Sequence, residues 1–107
     1  MTTNKELVFE SLSPEMIEKG EVKKSKITDL EGKYEIGVLQ LFPKSKIRKH
    51  LHTKDWEIYI MYNKKYTPDD IISICKVGEE HEIENDTDEV LKIIYIKGNK
   101  DVAFPEI

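Results

Sequence analysis

Apolar and β-branched residues recur along the chain in short runs that alternate with polar ones. The clearest are YEIGVLQLF (34–42), KIRKHLH (46–52), WEIYIMY (56–62), DIISICKV (70–77), HEIEN (81–85) and EVLKIIYIKG (89–98). A period of two, filled with Val, Ile, Tyr and Phe, is the signature of strands whose alternate side chains face a core. Turn formers separate the runs: Glu31-Gly32, Pro43-Lys44, Thr53-Lys54-Asp55, Asn63-Lys64-Lys65, Pro68-Asp69-Asp70, Gly78, Asn85-Asp86 and Gly98-Asn99. They arrive about every 8 to 12 residues, the rhythm of an all-β sandwich or barrel. One segment departs from it. In SPEMIEKG (13–20) Ser13 can cap, Pro14 suits a first helical position and Gly20 can close, which predicts a short N-terminal helix packing Met16 and Ile17.

At 107 residues the chain has the length of one domain. The expected division is an arm and short helix over 1–21, a barrel over 22–98 and a tail over 99–107. The balance of 17 basic to 21 acidic residues, net −4, offers no general attraction to nucleic acid. Cys75 is the single cysteine, and MTTNKELVFESLSPE lacks the apolar run of a secretory signal, so a cytoplasmic location is expected. Runs such as Ile93-Ile94-Tyr95-Ile96 fall far short of the roughly 20 residues that cross a bilayer, so no membrane partner is expected. LKIIYIKG is apolar on both faces, more than one small barrel with a wet exterior needs. A homodimer covering the second face follows as an expectation.

The chemistry concentrates in HLHTKDWE (50–57) and GEEHEIEN (78–85), which contain all three histidines. On an extended strand His50 and His52 share a face, and two imidazoles that close suit one metal ion. Glu57 has the opposite parity, but Thr53-Lys54-Asp55 reads as a turn that can reset the face. His81 begins a further strand after a turn allowed by Gly78, with Ile83 on its face. The acidic stretch EEHEIENDTDE lacks the spacing of a calcium loop and reads as an exposed hairpin.

The pattern H-x-H-x4-E, followed about twenty residues later by G-x2-H-x3-N, resembles the paired motifs of the cupin superfamily over roughly residues 36 to 97. The resemblance implies a small double-stranded β-helix, or jelly-roll barrel. Position by position, His50, His52, Glu57 and His81 match the family's four metal ligands, and Gly78 and Asn85 match structural positions. Lys44 and Lys64 stand where the first motif has glycines; Asp70 and Lys76 stand where the second has a glycine and a proline. Three imidazoles and a carboxylate suit a divalent transition metal such as Mn, Fe, Ni, Co or Zn, with one or two positions left for water or substrate.

Regular alternation puts Arg48 and Lys46 on the His50 face, where they would favour an anionic ligand; the competing reading is a solvated strand edge. Tyr59 and Met61 fall on the ligand face, Tyr59 as a proton or hydrogen-bond donor or as barrel filling. Trp56 is placed to roof the pocket or cover the barrel end, and Gln40 is a further polar candidate. Cys75 reads as core packing. The resemblance implies a metal-dependent enzyme of dioxygenase, isomerase, epimerase or lyase type acting on a small polar metabolite. Its rival is a non-catalytic binding or sensing module.

Overall fold

The computed structural model of the protein describes residues 7–62 and 72–101. Six of its strands coincide with the six alternating runs: β4 (Tyr34–Leu41), β5 (Ser45–Leu51), β6 (Asp55–Tyr62), β7 (Ile72–Cys75), β8 (Glu80–Asn85) and β9 (Leu91–Asn99). Three more precede them: β1 (Glu10–Ser11), β2 (Ile17–Lys19) and β3 (Val22–Leu30). β3 eluded the alternation because its inward positions include Lys24 as well as Val22. The turns expected at 63–65 and 68–70, with Lys64 and Asp70, lie outside the described residues, as does the tail beyond 101.

The expected N-terminal helix is corrected to one 3-10 turn over Pro14–Met16, which leads directly into β2. Ser13 makes no side-chain cap, and Ile17 is already extended at φ −100°, ψ 119°. A helix this short leaves most of its backbone groups unpaired while bearing the cost of nucleation. Pairing Ile17 with Ile47 of β5 satisfies the backbone and packs Ile17 against the core in one step.

Among the described residues all pairings are antiparallel, in a six-stranded sheet ordered β1-β3-β4-β9-β6-β7 and a three-stranded sheet ordered β2-β5-β8. Among the described residues no ladder joins the two sheets, so the architecture is an open sandwich and not the closed barrel expected. Their facing sides bury Val22, Leu39, Leu41, Ile47, Ile83, Leu91 and Ile93.

The outer sides differ. On the large sheet, register aligns Ile36, Ile96, Ile58 and Ile74 in one row and Val38, Ile94, Ile60 and Ile72 in the next. The small sheet instead carries ion pairs: Lys46 to Glu18 and Glu82 at 3.3 Å each, Lys19 to Glu84 at 3.6 Å and Lys49 to Glu80 at 3.7 Å. Lys46 thus points away from the core, not along the His50 side as regular alternation predicts. No helix among the described residues is long and apolar enough to cross a membrane.

Candidate metal centre

The site is built by a fault in a strand pair. β5 and β8 align Ser45 with Asn85 and Ile47 with Ile83, then slip so that His50 faces His81. Between these pairs two residues on β5, Arg48 and Lys49, stand against one on β8, Glu82, a bulge that inserts one extra residue. Ile47 and His50 both reach the interior although three positions apart. Arg48 is turned out at the edge, donating to the carbonyls of Glu15 and Ile17 at 3.3 Å each. The expected sharing of a face by Arg48 and His50 is corrected by that one residue.

Past the end of β5, the His52 carbonyl accepts a 2.8 Å hydrogen bond from the Gly78 amide. Gly78 has φ +84°, in the left-handed region that a glycine enters without penalty. This bond ties the end of β5 to the turn before β8 and holds His52 beside His81. The chain then crosses to the large sheet, where β6 presents Glu57 from the inner face, 7% exposed. One ligand atom from each of His50, His52, Glu57 and His81 lies within 4.8 Å of all the others.

The polar atoms of this cluster are held in a way that suits a cation. His50 Nδ1 lies 2.6 Å from the Arg48 carbonyl and His81 Nδ1 lies 3.4 Å from the Glu79 carbonyl. A carbonyl can only accept, so each Nδ1 carries the proton and each Nε2 turns a lone pair inward, as metal-bound histidines are commonly oriented. His52 Nε2 is buried, with no hydrogen-bond partner among the described residues, and sits against Glu57 Oε1. A buried nitrogen lone pair facing a carboxylate oxygen without hydrogen-bond geometry is costly unless something positive lies between them. The donor set and its orphaned atom fit a divalent ion.

Glu57 Oε2 accepts a hydrogen bond from the Tyr59 hydroxyl, which also lies 3.2 Å from His81 Nε2. Burial alone would raise the Glu57 carboxyl, but the adjoining His52 ring and the hydrogen bond from Tyr59 carry it below its ordinary value. Burial, and then the neighbouring Glu57 charge, push the Tyr59 phenol far upward, so it keeps its proton at neutral pH. Burial, together with the charge of His50, lowers His81 and favours the neutral imidazole that a metal requires. Cys75, opposite Glu57 in the β6·β7 register, is buried; desolvation and the Glu57 charge raise its thiol, consistent with packing.

The cluster opens on a cavity of about 200 Å³, walled on its apolar side by Leu12, Met16, Leu39 and Ile47. Tyr59 lines it, and so do Lys24, Tyr95 and Lys97, which alternation alone did not single out. Their signal was present: in β9, Lys97 shares parity with the buried Tyr95 and Ile93. Met61 sits on the ligand side of β6 but packs against the core beyond the cavity lining. Gln40 lies between the inward Leu39 and Leu41 and faces the other way. Trp56, 2% exposed, is on the outer side of the large sheet, edge-on to Tyr34 at 6.1 Å and packed against Gly98, so it does not roof the pocket.

No protein-family model matches the sequence, and none of the curated proteins does. Solved structures do match it. A predicted oxalate decarboxylase from Thermotoga maritima is 25% identical, with a TM-score of 0.72 over 88% of this chain and 94% of that one. The polyketide cyclase RemF from Streptomyces resistomycificus shares the fold at 12% identity and a TM-score of 0.64, over 96% of this chain and 88% of its own. A cupin-2 domain protein from Rhodospirillum rubrum shares it at 10% identity and 0.58, over 99% of this chain and 79% of its own. The two-sheet architecture is thus the fold of solved cupins, and in it the three histidines and the carboxylate are gathered closely enough to hold a metal ion.

Proposed function

We propose that the protein is a metal-dependent enzyme acting on a small polar metabolite, with His50, His52, Glu57 and His81 holding one divalent transition ion. The observation that carries this reading is the orphaned His52 Nε2 inside a group of four ligand atoms within 4.8 Å of one another. When bound, the ion supplies Lewis-acid polarisation of a substrate oxygen, or electron transfer if it is redox-active. The protein's own groups do the rest. Carbonyls of Arg48 and Glu79 fix the tautomers of His50 and His81, and Glu57 brings the negative charge. Tyr59 keeps a proton at the cavity wall, where it donates to Glu57 or to a bound oxygen atom. Leu12, Met16, Leu39 and Ile47 exclude bulk water from one side.

Of the family's chemistries, lyase action has the support of the predicted oxalate decarboxylase, which is similar over most of both chains. Elemental analysis of the purified protein, followed by assays of metal-loaded protein against small organic acids, tests the reading. One equivalent of a transition metal, lost in His81→Ala, with turnover of an acid, is the expected result. Stabilisation by a metabolite without turnover would favour the binding module, and oxygen uptake would favour a dioxygenase. The apolar rows outside the large sheet, continued by Ile72 and Ile74 at 44% and 38% exposure, support pairing of two copies there. A monomer in light scattering at micromolar concentration would remove that part.

A further inference from the structure

We propose that Lys24 and Lys97 make this cavity selective for a small carboxylate anion, bound with its charged end on the large sheet and its other end toward the histidines. The proposal rests on the metal-centre reading for the second contact only. The carboxylate contact stands on the large sheet by itself.

Register puts both lysines on the inner side of the sheet, where burial would normally select apolar residues. Lys24 is opposite Leu39, and Lys97 lies in one ladder row between Glu35 and Glu57. Both line the cavity that the metal cluster opens on. Between them, Tyr95 and Tyr59 are direct cross-strand partners that point apart. Tyr59 reaches Glu57, whereas Tyr95 donates 2.6 Å to Glu35. Gly37 makes this possible, because a Cβ there would fall 2.4 Å from the Tyr95 ring and 2.5 Å from the Ser25 carbonyl.

Each lysine has an acidic partner on the same sheet. Glu35 holds Lys24 at 3.1 Å and Asp55 holds Lys97 at 3.5 Å, yet neither carboxylate lines the cavity. The ion pairs therefore anchor the two chains and leave ammonium hydrogens for the interior. Lys24 Nζ also lies 5.3 Å from the Tyr95 ring centroid, which limits its wander. The cavity-lining charges are then two ammonium groups against the single carboxylate of Glu57, and Glu57 belongs to the metal. An anion in this partly dry site gains charge-assisted hydrogen bonds from the ammonium hydrogens that the ion pairs leave free, whereas a neutral isostere offers them no charge.

The test uses the full chain loaded with Mn2+ and a panel of acetate, lactate, pyruvate and succinate set against the matching amides. Binding is read by calorimetry and by thermal shift at constant ionic strength, with metal content measured on every sample. At least one carboxylate should bind with an affinity at least tenfold above that of its amide. Lys24→Met and Lys97→Met should each weaken it at least tenfold with metal content unchanged, and Lys97→Arg should restore part of it. Equal binding of acid and amide, no binding of any panel member, or full binding by both methionine variants overturns the proposal. The wild-type comparison of acid with amide needs no variant to fold. Protein that retains Mn2+ and binds no carboxylate sinks the anion assignment alone. Protein that binds carboxylate but no metal upholds the lysines and sinks the metal centre.

Discussion

The two ends of the β5·β8 pair are both closed by polar side chains, and they close differently. At the Ser45 end, Asn85 is 1% exposed and all its hydrogen-bonding groups are engaged. Its Nδ2 donates to the carbonyls of Leu41, Phe42 and Glu89 at 2.9, 3.2 and 2.7 Å. Its Oδ1 accepts from the Thr87 amide and hydroxyl at 3.1 and 2.6 Å. These bonds clamp β8 of the small sheet to the end of β4 in the large one. At the His50 end, four ionisable side chains from both sheets meet, and one buried nitrogen among them has no hydrogen-bond partner among the described residues. A satisfied cluster is structure, whereas an unsatisfied one in a fold otherwise careful with polar atoms marks a place for a ligand.

The largest effect should come from supplying that ligand. A divalent metal at about a thousandfold over its Kd stabilises the protein that binds it by about 4 kcal/mol. Wild type should show a rise of that size in urea unfolding on addition of Mn2+, and His81→Ala should show almost none. Next in size is the other end. Asn85→Ala leaves three carbonyls without their donor in or near the interior, which should cost about 3 kcal/mol. Its metal stoichiometry, measured below its lowered midpoint, should remain that of wild type. Loss of metal from Asn85→Ala would show that the two ends are one device and erase the contrast.

Acid should separate the ends again. The folded His81 has a pKa below its ordinary 6.5, so the unfolded chain binds more protons and stability falls as pH drops through that value. The folded Glu57 also lies below its ordinary 4.5; its contribution is full above that and is lost as pH falls through the folded value. Both act in one direction. The metal-free protein should therefore lose stability stepwise on acidification from pH 7, and bound metal should leave over the upper part of that range. Asn85 does not titrate, so Asn85→Ala should keep the wild-type slope from a lower start. His81→Ala should flatten the upper step. Unfolding midpoints between pH 4 and 8 for the three proteins check this.

The sites at both ends were legible in the chain because their information is local. HLHTKDWE and GEEHEIEN carry all four ligands, a turn glycine and the clamp asparagine at fixed spacings that no distant contact must supply. What could not be read depends on pairing. Regular alternation gives Arg48 the same side as His50, but the bulge after Ile47, defined only by pairing with β8, inserts an extra residue. Ile17 looked helical because its partner, Ile47, lies thirty residues on. Lys24 and Lys97 stand out only once register sets them inward beside Leu39 and Glu57, although the parity of Lys97 with Tyr95 already hinted at it. Trp56 was placed by its nearness to the motif, but strand parity sends it to the outer side of the sheet.

The smallest effect concerns the turn that carries the chain from the large sheet to the small one, at the Asn85 end. Lys44 stands where the family resemblance has a glycine, yet its φ of +60° is the left-handed conformation that glycine adopts freely. The backbone shape is retained without the residue that favours it, at a cost of about 1 kcal/mol for a side chain with a Cβ. Local contacts hold it: the Lys44 amide donates 3.3 Å to the Thr87 carbonyl, and Nζ donates 2.5 Å to the Asp86 carbonyl. Its ion pair with Asp88 at 3.8 Å is largely exposed and adds little. Lys44→Gly removes the strain and the ammonium contacts together, so the net gain should be below about 1 kcal/mol, a rise of a few degrees in Tm. Lys44→Ala keeps the strained Cβ while losing the ammonium, and should melt slightly below wild type. The order glycine, lysine, alanine would show that the clamped end has slack left for improvement in backbone shape, with polar bonding already complete. A glycine variant melting below the alanine variant would instead make the lysine contacts, and not the torsion, the feature that holds this turn.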